Sequence, residues 1–213
     1  MPIKLPIVPS SIQNIIFDLG GVIINIDFDL TMQALQQFTT QEDLGKGAYL
    51  GKAPLFYEYE TGQIGSATFL QRLQTQFQLK ASTTQLNAAW NALLLDIPAA
   101  RIALLQQLQS QYRLFLLSNT NPIHFEAVEQ ILYKASGVAH FHQLFEKVYL
   151  SYEMGKAKPE AAIYQQVLKE NTLEAAATLF IDDSLANIEA AQQLGIQTVH
   201  IEPEQYTILD IFP

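Results

Sequence analysis

The sequence predicts an α/β fold: a parallel sheet with helices on both faces and a helical insertion after the first strand. Three observations predict it. Short apolar runs recur, each ending in small or polar residues: IIF before Asp18, RLFLLS at 113–118, KVYLS at 147–151, TLFID at 178–182 and QTVHI at 197–201. None alternates cleanly between apolar and polar, as expected of strands buried on both faces. Segments with helical spacing separate the last four runs, and alternating strand and helix builds a parallel sheet. The long stretch 25–96 carries helical signals and no strong strand signal.

The elements follow in chain order. The first strand stops at Asp18, against Gly20 and Gly21. Residues 25–96 are too many for one crossover. Ile64–Phe77 and Thr83–Leu95 have helical spacing, while Gly45, Gly47, Gly51 and Pro54 break the earlier part. This stretch is read as an insertion of roughly four or five helices of ordinary length. The domain division is therefore 1–24 with 97–213 for the core, and 25–96 for the insertion. Pro98 opens a helix over 98–110; Leu104 and Leu108 supply its apolar stripe, so LQQLQSQ is a polar helix face. Helices are expected over 121–134, 159–170 and 184–194, the last ending at Gly195.

Bulk composition narrows the function classes. The chain has 213 residues and 49% hydrophobic content, enough for one substantial core with a modest second lobe. Charged residues are 15%, too few for a disordered chain held open by charge. The net charge is -9 with no basic patch, which excludes a nucleic-acid backbone as partner. There is no Cys, so disulfides, thiolate catalysis and Cys-based zinc sites are excluded. The start, MPIKLPIVPSS, has Pro2, Pro6 and Pro9 and lacks the apolar segment of roughly 7–15 residues that a secretory leader needs. No run of roughly 18 apolar residues suggests a membrane span. A cytoplasmic protein is expected; oligomeric state is not legible.

Ligands of open parallel sheets bind at the carboxyl ends of the strands. Here the first strand end carries Asp18, the second Ser118 and Asn119, and the fourth Asp182 and Asp183; the third leads through GKAKPE to Lys158. Three close carboxylates repel one another unless a cation sits among them. Carboxylate oxygens without His or Cys suit Mg²⁺. Ser118 offers a hydroxyl, Lys158 a fixed positive charge, and the amides of Leu19 and Gly20 an anion cradle. Together these groups suit a transferring phosphoryl group, with Asp18 as nucleophile.

Each residue also has a plainer explanation. A lone Asp after a strand is commonly a cap or turn residue, as are Ser118 and Asn119. Lys158 before Pro159 fits a solvated side chain at a helix start, and Asp182–Asp183 fits a favourable helix dipole. The joint occurrence on successive strand ends outweighs these readings. Lys156 competes with Lys158, which is preferred because Pro159 places it at the helix entrance. His124, near a helix start, is read as structural before catalytic. His140, His142 and His200 show no ligand spacing. Phe56–Glu60 is read as insertion core or rim, with Tyr57, Tyr59 and Glu60 as rim positions, and Trp90 as packing.

With these motifs in order, the chain resembles the haloacid dehalogenase superfamily, in the branch with a helical cap after the first strand. IIFDLGGV matches the nucleophile motif, LFLLSN the phosphate-binding motif at Ser118, KPE the lysine motif at Lys158, and LFIDDSLAN the metal motif at Asp182 and Asp183. The resemblance covers nearly the whole chain. It implies a Rossmann-like core, Mg²⁺, an aspartyl-phosphate intermediate and hydrolysis of a small phosphorylated metabolite. It further implies that Asp18, the Gly20 carbonyl, Asp182 and Asp183 hold the metal, that Asn187 holds the metal loop, and that the cap sets specificity.

One departure stands out. Phosphatases of this family carry a second Asp two residues after the nucleophile, as acid and base; here the position is Gly20. Losing such a group typically costs roughly 10²–10⁴-fold in rate. A subgroup of sugar-phosphate phosphatase-like members has glycine at this position. An anomeric sugar phosphate, with its better leaving group, would need less acid assistance and should turn over faster than a 6-phosphate. The alternatives are a 2-haloacid dehalogenase, which does not need the Asp182–Asp183 pair, and a non-catalytic binder of phosphorylated metabolites. A receiver domain is excluded by motif order, since there the acidic pair precedes the phosphorylated Asp.

Overall fold

The computed structural model describes residues 9–40 and 54–212. Five parallel strands form one sheet in the order β3-β2-β1-β4-β5. They are β1 (Asn14–Phe17), β2 (Arg113–Ser118), β3 (Lys147–Leu150), β4 (Thr178–Asp182) and β5 (Gln197–His200). The central strands are apolar throughout because both faces are covered. Successive residues pass to opposite sides. Ile15, Phe17, Leu114, Leu116, Leu179 and Ile181 enter one core cluster, while Ile16, Phe115, Leu117 and Phe180 enter the other.

Helices close both faces. On the first lie α5 (Ala99–Leu108), α6 (Pro122–Ser136) and α10 (Ile208–Ile211), contributing Leu105, Val128, Leu132 and Ile208. On the second lie α8 (Ala161–Glu170) and α9 (Leu185–Gln193), contributing Ile163, Val167 and Ala191. A short helix, α7 (Ser151–Met154), follows β3 directly. Pairing of Phe17 with both Leu116 and Ile181, and of Asp182 with His200, brings the strand ends to one edge.

The chain leaves this core and returns to it at one place. Asn25 N–H donates to the Asp96 carbonyl (2.9 Å), and Leu95 N–H donates back to the Asn25 carbonyl (3.0 Å). The described part of the intervening chain holds α1 (Phe28–Gln36), α2 (Pro54–Glu60), α3 (Ser66–Gln76) and α4 (Thr83–Trp90). They share a separate apolar cluster built on Leu35, Phe56, Tyr59, Phe69, Leu73 and Trp90. Capping punctuates the helices: Asp27 accepts from Asp29 N–H, and Ser82 and Gln85 form a reciprocal capping box. Gly45, Gly47 and Gly51 lie outside the described residues.

Helix boundaries differ from the sequence expectation by a few residues. Pro98 precedes α5 in extended conformation, and the helix ends at Leu108. The helix expected over 83–95 stops at Trp90, where a tighter turn over Asn91–Leu93 takes over. The helix expected from 159 begins at Ala161. Glu160 N–H instead closes a turn on the Ala157 carbonyl (3.0 Å), with a cis Lys158–Pro159 bond inside it. Lys158 therefore sits in a turn before the helix, not at its entrance.

Candidate active site

The loop after β1 is compact. Asp18 N–H still donates to the Ile181 carbonyl (2.8 Å), after which Ile23 and Ile24 N–H turn back onto the Leu19 carbonyl (2.9 and 3.0 Å). Gly21 has φ +70, a left-handed conformation that glycine adopts without steric penalty. A Cβ at Gly21 would overlap Asp183 Oδ2, so its bareness lets the loops after β1 and β4 touch. At Gly20 a Cβ would meet the tip of Ile26 at 3.0 Å. The side chain next to position 20 is therefore aliphatic. The N–H groups of Leu19 and Gly20 and the Gly20 carbonyl take no part in the backbone bonds of this turn.

Lys158 joins three strand ends. Its Nζ donates to Asp18 Oδ1 (2.6 Å), Asp182 Oδ2 (2.7 Å) and the Leu117 carbonyl (2.9 Å), which uses all three ammonium hydrogens. Asn119 holds the Lys158 backbone from both sides: its Nδ2 donates to the Lys158 carbonyl and its Oδ1 accepts from Lys158 N–H, each at 2.8 Å. Asn119, expected from the sequence to bind substrate, is placed here against the lysine turn. Its side chain is occupied by the lysine turn, because the end of β2 abuts that turn. Lys156 points elsewhere, to Gln166 Oε1 (2.7 Å). Ser118 is buried, and its hydroxyl has no hydrogen-bond partner among the described residues.

The acidic pair divides its work. Asp182 is fully buried and accepts from Ser184 N–H (2.8 Å) and from Asn187 Nδ2 (3.0 and 3.1 Å), besides Lys158. Asp183 makes no salt bridge among the described residues, and its backbone carbonyl accepts from His200 Nε2 at 2.9 Å. Sequence reasoning passed over His200. Its signal lies in strand pairing, since Asp182 and His200 are register partners on β4 and β5.

Carboxylate oxygens of Asp18, Asp182 and Asp183 lie within 4.8 Å of one another. Burial pushes the Asp18 carboxyl up to about 7; Lys158 opposes the shift, while Asp182 and Asp183 reinforce it. Burial also raises Asp183, with Asp182 adding to the effect. Burial alone would lower Lys158, but the two carboxylates overcome it and keep the ammonium charged. With all three carboxylates ionised, one ammonium leaves two negative charges unbalanced. Such a site fits a hard divalent cation with oxygen ligands, as Mg²⁺ is. Asp18 Oδ2, the Asp183 carboxylate and the Gly20 carbonyl are the groups least committed elsewhere.

The insertion meets the core around this edge. His124 is buried in the joint: its Nδ1 accepts from Asn121 Nδ2 (3.0 Å), and its Nε2 donates to the Trp90 carbonyl (3.0 Å). Its ring stacks on the Trp90 indole at 4.9 Å. Burial lowers its pKa to about 4, so it stays neutral and structural at ordinary pH. Tyr57 OH donates to Glu160 Oε1 (2.9 Å), two residues beyond Lys158. Tyr59 OH bonds Ser66 Oγ (2.8 Å) and accepts from Ile123 N–H (3.4 Å).

A family model described as a haloacid dehalogenase-like hydrolase matches residues 12–195, spanning every strand end just described except β5. The chain belongs to the haloacid dehalogenase-like hydrolases. Among relatives of this hydrolase, a D-ribitol-5-phosphate phosphatase of Bacteroides thetaiotaomicron is 28% identical, covering 91% of this chain and 92% of the relative. A sesquiterpene phosphatase of Aspergillus oryzae is 25% identical over 92% and 93% of the two chains. A haloacid dehalogenase-family enzyme of Bacteroides thetaiotaomicron, solved in complex with magnesium and inorganic phosphate, superposes with a TM-score of 0.80. It is 36% identical and covers 90% of this chain and 95% of its own. The hydrolase thus shares its parallel sheet and flanking helices with an enzyme that binds metal and phosphate.

Proposed function

We propose that this hydrolase is a Mg²⁺-dependent phosphatase of small phosphorylated sugars or polyols. One observation carries the proposal: Lys158 bridges Asp18 and Asp182 while Asp183 stands beside them without a salt bridge among the described residues. Asp18 Oδ1 is held by the ammonium, which leaves Oδ2 to attack phosphorus. The P–O bond to the alcohol breaks, and the alcohol oxygen takes a proton from solvent water as it leaves, since Gly20 offers no side-chain acid. Water then attacks the phosphorus of the phospho-Asp18, releasing phosphate and restoring the carboxylate. Lys158, the Ser118 hydroxyl and the Leu19 and Gly20 amides hold the phosphoryl oxygens. Asp18, the Gly20 carbonyl and Asp183 would hold Mg²⁺. Asp182, the fourth metal position expected from the sequence, would complete that set while also anchoring Lys158, and Asn187 fixes Asp182. When bound, the ion neutralises charge developing on the phosphoryl group.

The inserted helices act as the cap over this site, within the domain limits expected from the sequence. The named relatives support a phosphorylated metabolite as substrate. Ribitol 5-phosphate is a primary ester, unlike the anomeric ester favoured from Gly20 alone, so both classes belong in the test. The described residues include no helix long and apolar enough to cross a membrane. The proposal includes a cytoplasmic location, where such metabolites are made.

Phosphate release should be screened across sugar, polyol and other metabolite phosphates, with Mg²⁺, with EDTA and with Asp18→Asn. Expected is release that needs Mg²⁺ and vanishes in the variant. Release of halide from a 2-haloacid, insensitive to chelator, would instead establish the dehalogenase reading. Gly20 and its aliphatic neighbour Ile26 favour one other reading, a metabolite binder without turnover. Tight binding of a phosphate ester by folded protein that releases no phosphate would support that reading.

A further inference from the structure

Arg101 is a charge buried behind the nucleophile loop. It lies in the first turn of α5, where the chain re-enters the core after the insertion, and it is 5% exposed. Its Nη1 donates to the Ile23 carbonyl (3.1 Å), and no other group among the described residues donates to that oxygen. The guanidinium makes no salt bridge among the described residues, and its Nε–H has no hydrogen-bond partner. Asp96 is within electrostatic reach, but its Oδ1 accepts from Asn25 Nδ2 (2.9 Å) instead. A neutral side-chain donor would satisfy one carbonyl at a lower desolvation cost. What the charge acts on is legible in the hydrogen bonds of the loop.

From Ile23 those bonds run toward the end of β1. A trans peptide sets its C=O and N–H on opposite sides. The Ile23–Ile24 peptide accepts from Arg101 on one side and, on the other, donates through Ile24 N–H to the Leu19 carbonyl (3.0 Å). The Leu19–Gly20 peptide accepts there, and its far side carries the Gly20 N–H, which makes no bond within the loop. The guanidinium thus heads a line of peptide dipoles whose positive end is the Gly20 amide, two residues beyond Asp18. Leu19, Ile23 and Ile24 are buried, so water does not screen the line. Each bond in such a chain polarises the next, by roughly 10–30% in condensed phase. The sense is that of a helix N-terminus, where aligned peptide dipoles favour an anion.

We propose that Arg101 is a positioning residue that strengthens phosphate binding at the Gly20 amide, acting through the Ile23–Ile24 and Leu19–Gly20 peptides without touching the ligand. The inference rests on the phosphatase reading for the phosphoryl group that this amide holds. It draws on the core alone and needs nothing from the inserted helices.

Three variants separate charge from hydrogen bonding. Arg101→Met removes both, Arg101→Gln keeps a neutral donor, and Arg101→Lys keeps a charged one. Inorganic phosphate is the probe, titrated by calorimetry into folded, Mg²⁺-saturated protein. Arg101→Met should raise the phosphate Kd about threefold to tenfold, Arg101→Lys should restore most of the affinity, and Arg101→Gln should fall between. The relay itself is read by NMR of isotope-labelled protein without phosphate. The amide nitrogens of Ile24 and Gly20 should both move upfield in Arg101→Met and return toward wild type in Arg101→Lys. Loss of packing alone would lower the melting temperature without this ordered response. The proposal is overturned by a wild-type protein that binds no phosphate, by an unchanged Kd in Arg101→Met, or by a Gly20 signal that stays in place while that of Ile24 moves. Equal affinities in Arg101→Gln and Arg101→Lys would also overturn it, by reducing Arg101 to a structural donor, and that comparison decides alone if Arg101→Met does not fold. If shifts and affinities follow the expected order but wild-type protein hydrolyses no phosphate ester, the proposal stands and the hydrolytic reading fails.

Discussion

Lys158 illustrates how much one side chain can hold. Its ammonium is the single cation in salt-bridge contact with Asp18 and Asp182 among the described residues, and its side chain is 1% exposed. Removing one partner of a buried charged network leaves the others uncompensated, at a cost of about 3–5 kcal/mol. Lys158→Ala should therefore lower the urea unfolding free energy of metal-free protein by about that amount, and less when Mg²⁺ is present. A loss below about 1 kcal/mol, the range of an exposed pair, would refute the hub role. Gly21 makes a different demand. Its left-handed φ and the closeness of Asp183 leave no room for a methyl group. Gly21→Ala should weaken Mg²⁺ binding at least about tenfold, since the side chain displaced is a proposed ligand; a Mg²⁺ titration followed by calorimetry reads this. Gly20 is more permissive, because its hypothetical Cβ meets only the flexible tip of Ile26. Gly20→Asp should fold. If leaving-group protonation limits the rate, it should speed a primary phosphate relative to an anomeric one by up to about 10²-fold.

At the scale of elements, the loops between strands and the inserted helices do the positioning. The turn over 157–160 presents Lys158, and Asn119 pins it to the end of β2. Ser151 adds a second tie between β3 and β2: its hydroxyl accepts from Thr120 N–H and donates to the Thr120 carbonyl. The joint between α4 and α6 is a neutral His124 beneath Trp90. Its folded-state pKa, about 4, lies below the ordinary 6.5. Between those values the unfolded chain binds more protons than the native one, so stability falls as pH drops from 6.5 toward 4. His124→Gln should flatten that limb of a plot of urea midpoint against pH. An unchanged slope would show that His124 contributes nothing to it.

For the molecule as a whole, metal and pH are linked through Asp18. In metal-free protein its pKa rises from 3.8 to about 7, chiefly through burial. The native state then keeps a proton that the unfolded chain has lost, so this group's contribution to stability declines as pH rises across that window. The slope is opposite to that of His124, so the two partly offset below about 6.5. In the proposed site Mg²⁺ would bind the ionised Asp18 carboxylate. Its stabilisation should therefore grow from pH 5 to pH 7 and level off above, reaching about 2.7 kcal/mol at a hundredfold excess over Kd. Melting temperatures measured with and without Mg²⁺ at pH 5 and pH 8 check this, and an equal gain at both values would contradict it.

The linear order of residues by itself determined the alternation of strand and helix, the place of the insertion and the five groups Asp18, Ser118, Lys158, Asp182 and Asp183. Those signals are local: an apolar run reports a buried strand wherever it lies, and strand ends must meet at one edge of a parallel sheet. What only the tertiary structure decided is who touches whom. Asn119 reads as a ligand-facing polar residue until the lysine turn is folded against it. His200 reads as isolated until β5 pairs with β4. Each outcome depends on residues tens of positions apart being brought within bonding distance, and no local pattern of residue types encodes that approach.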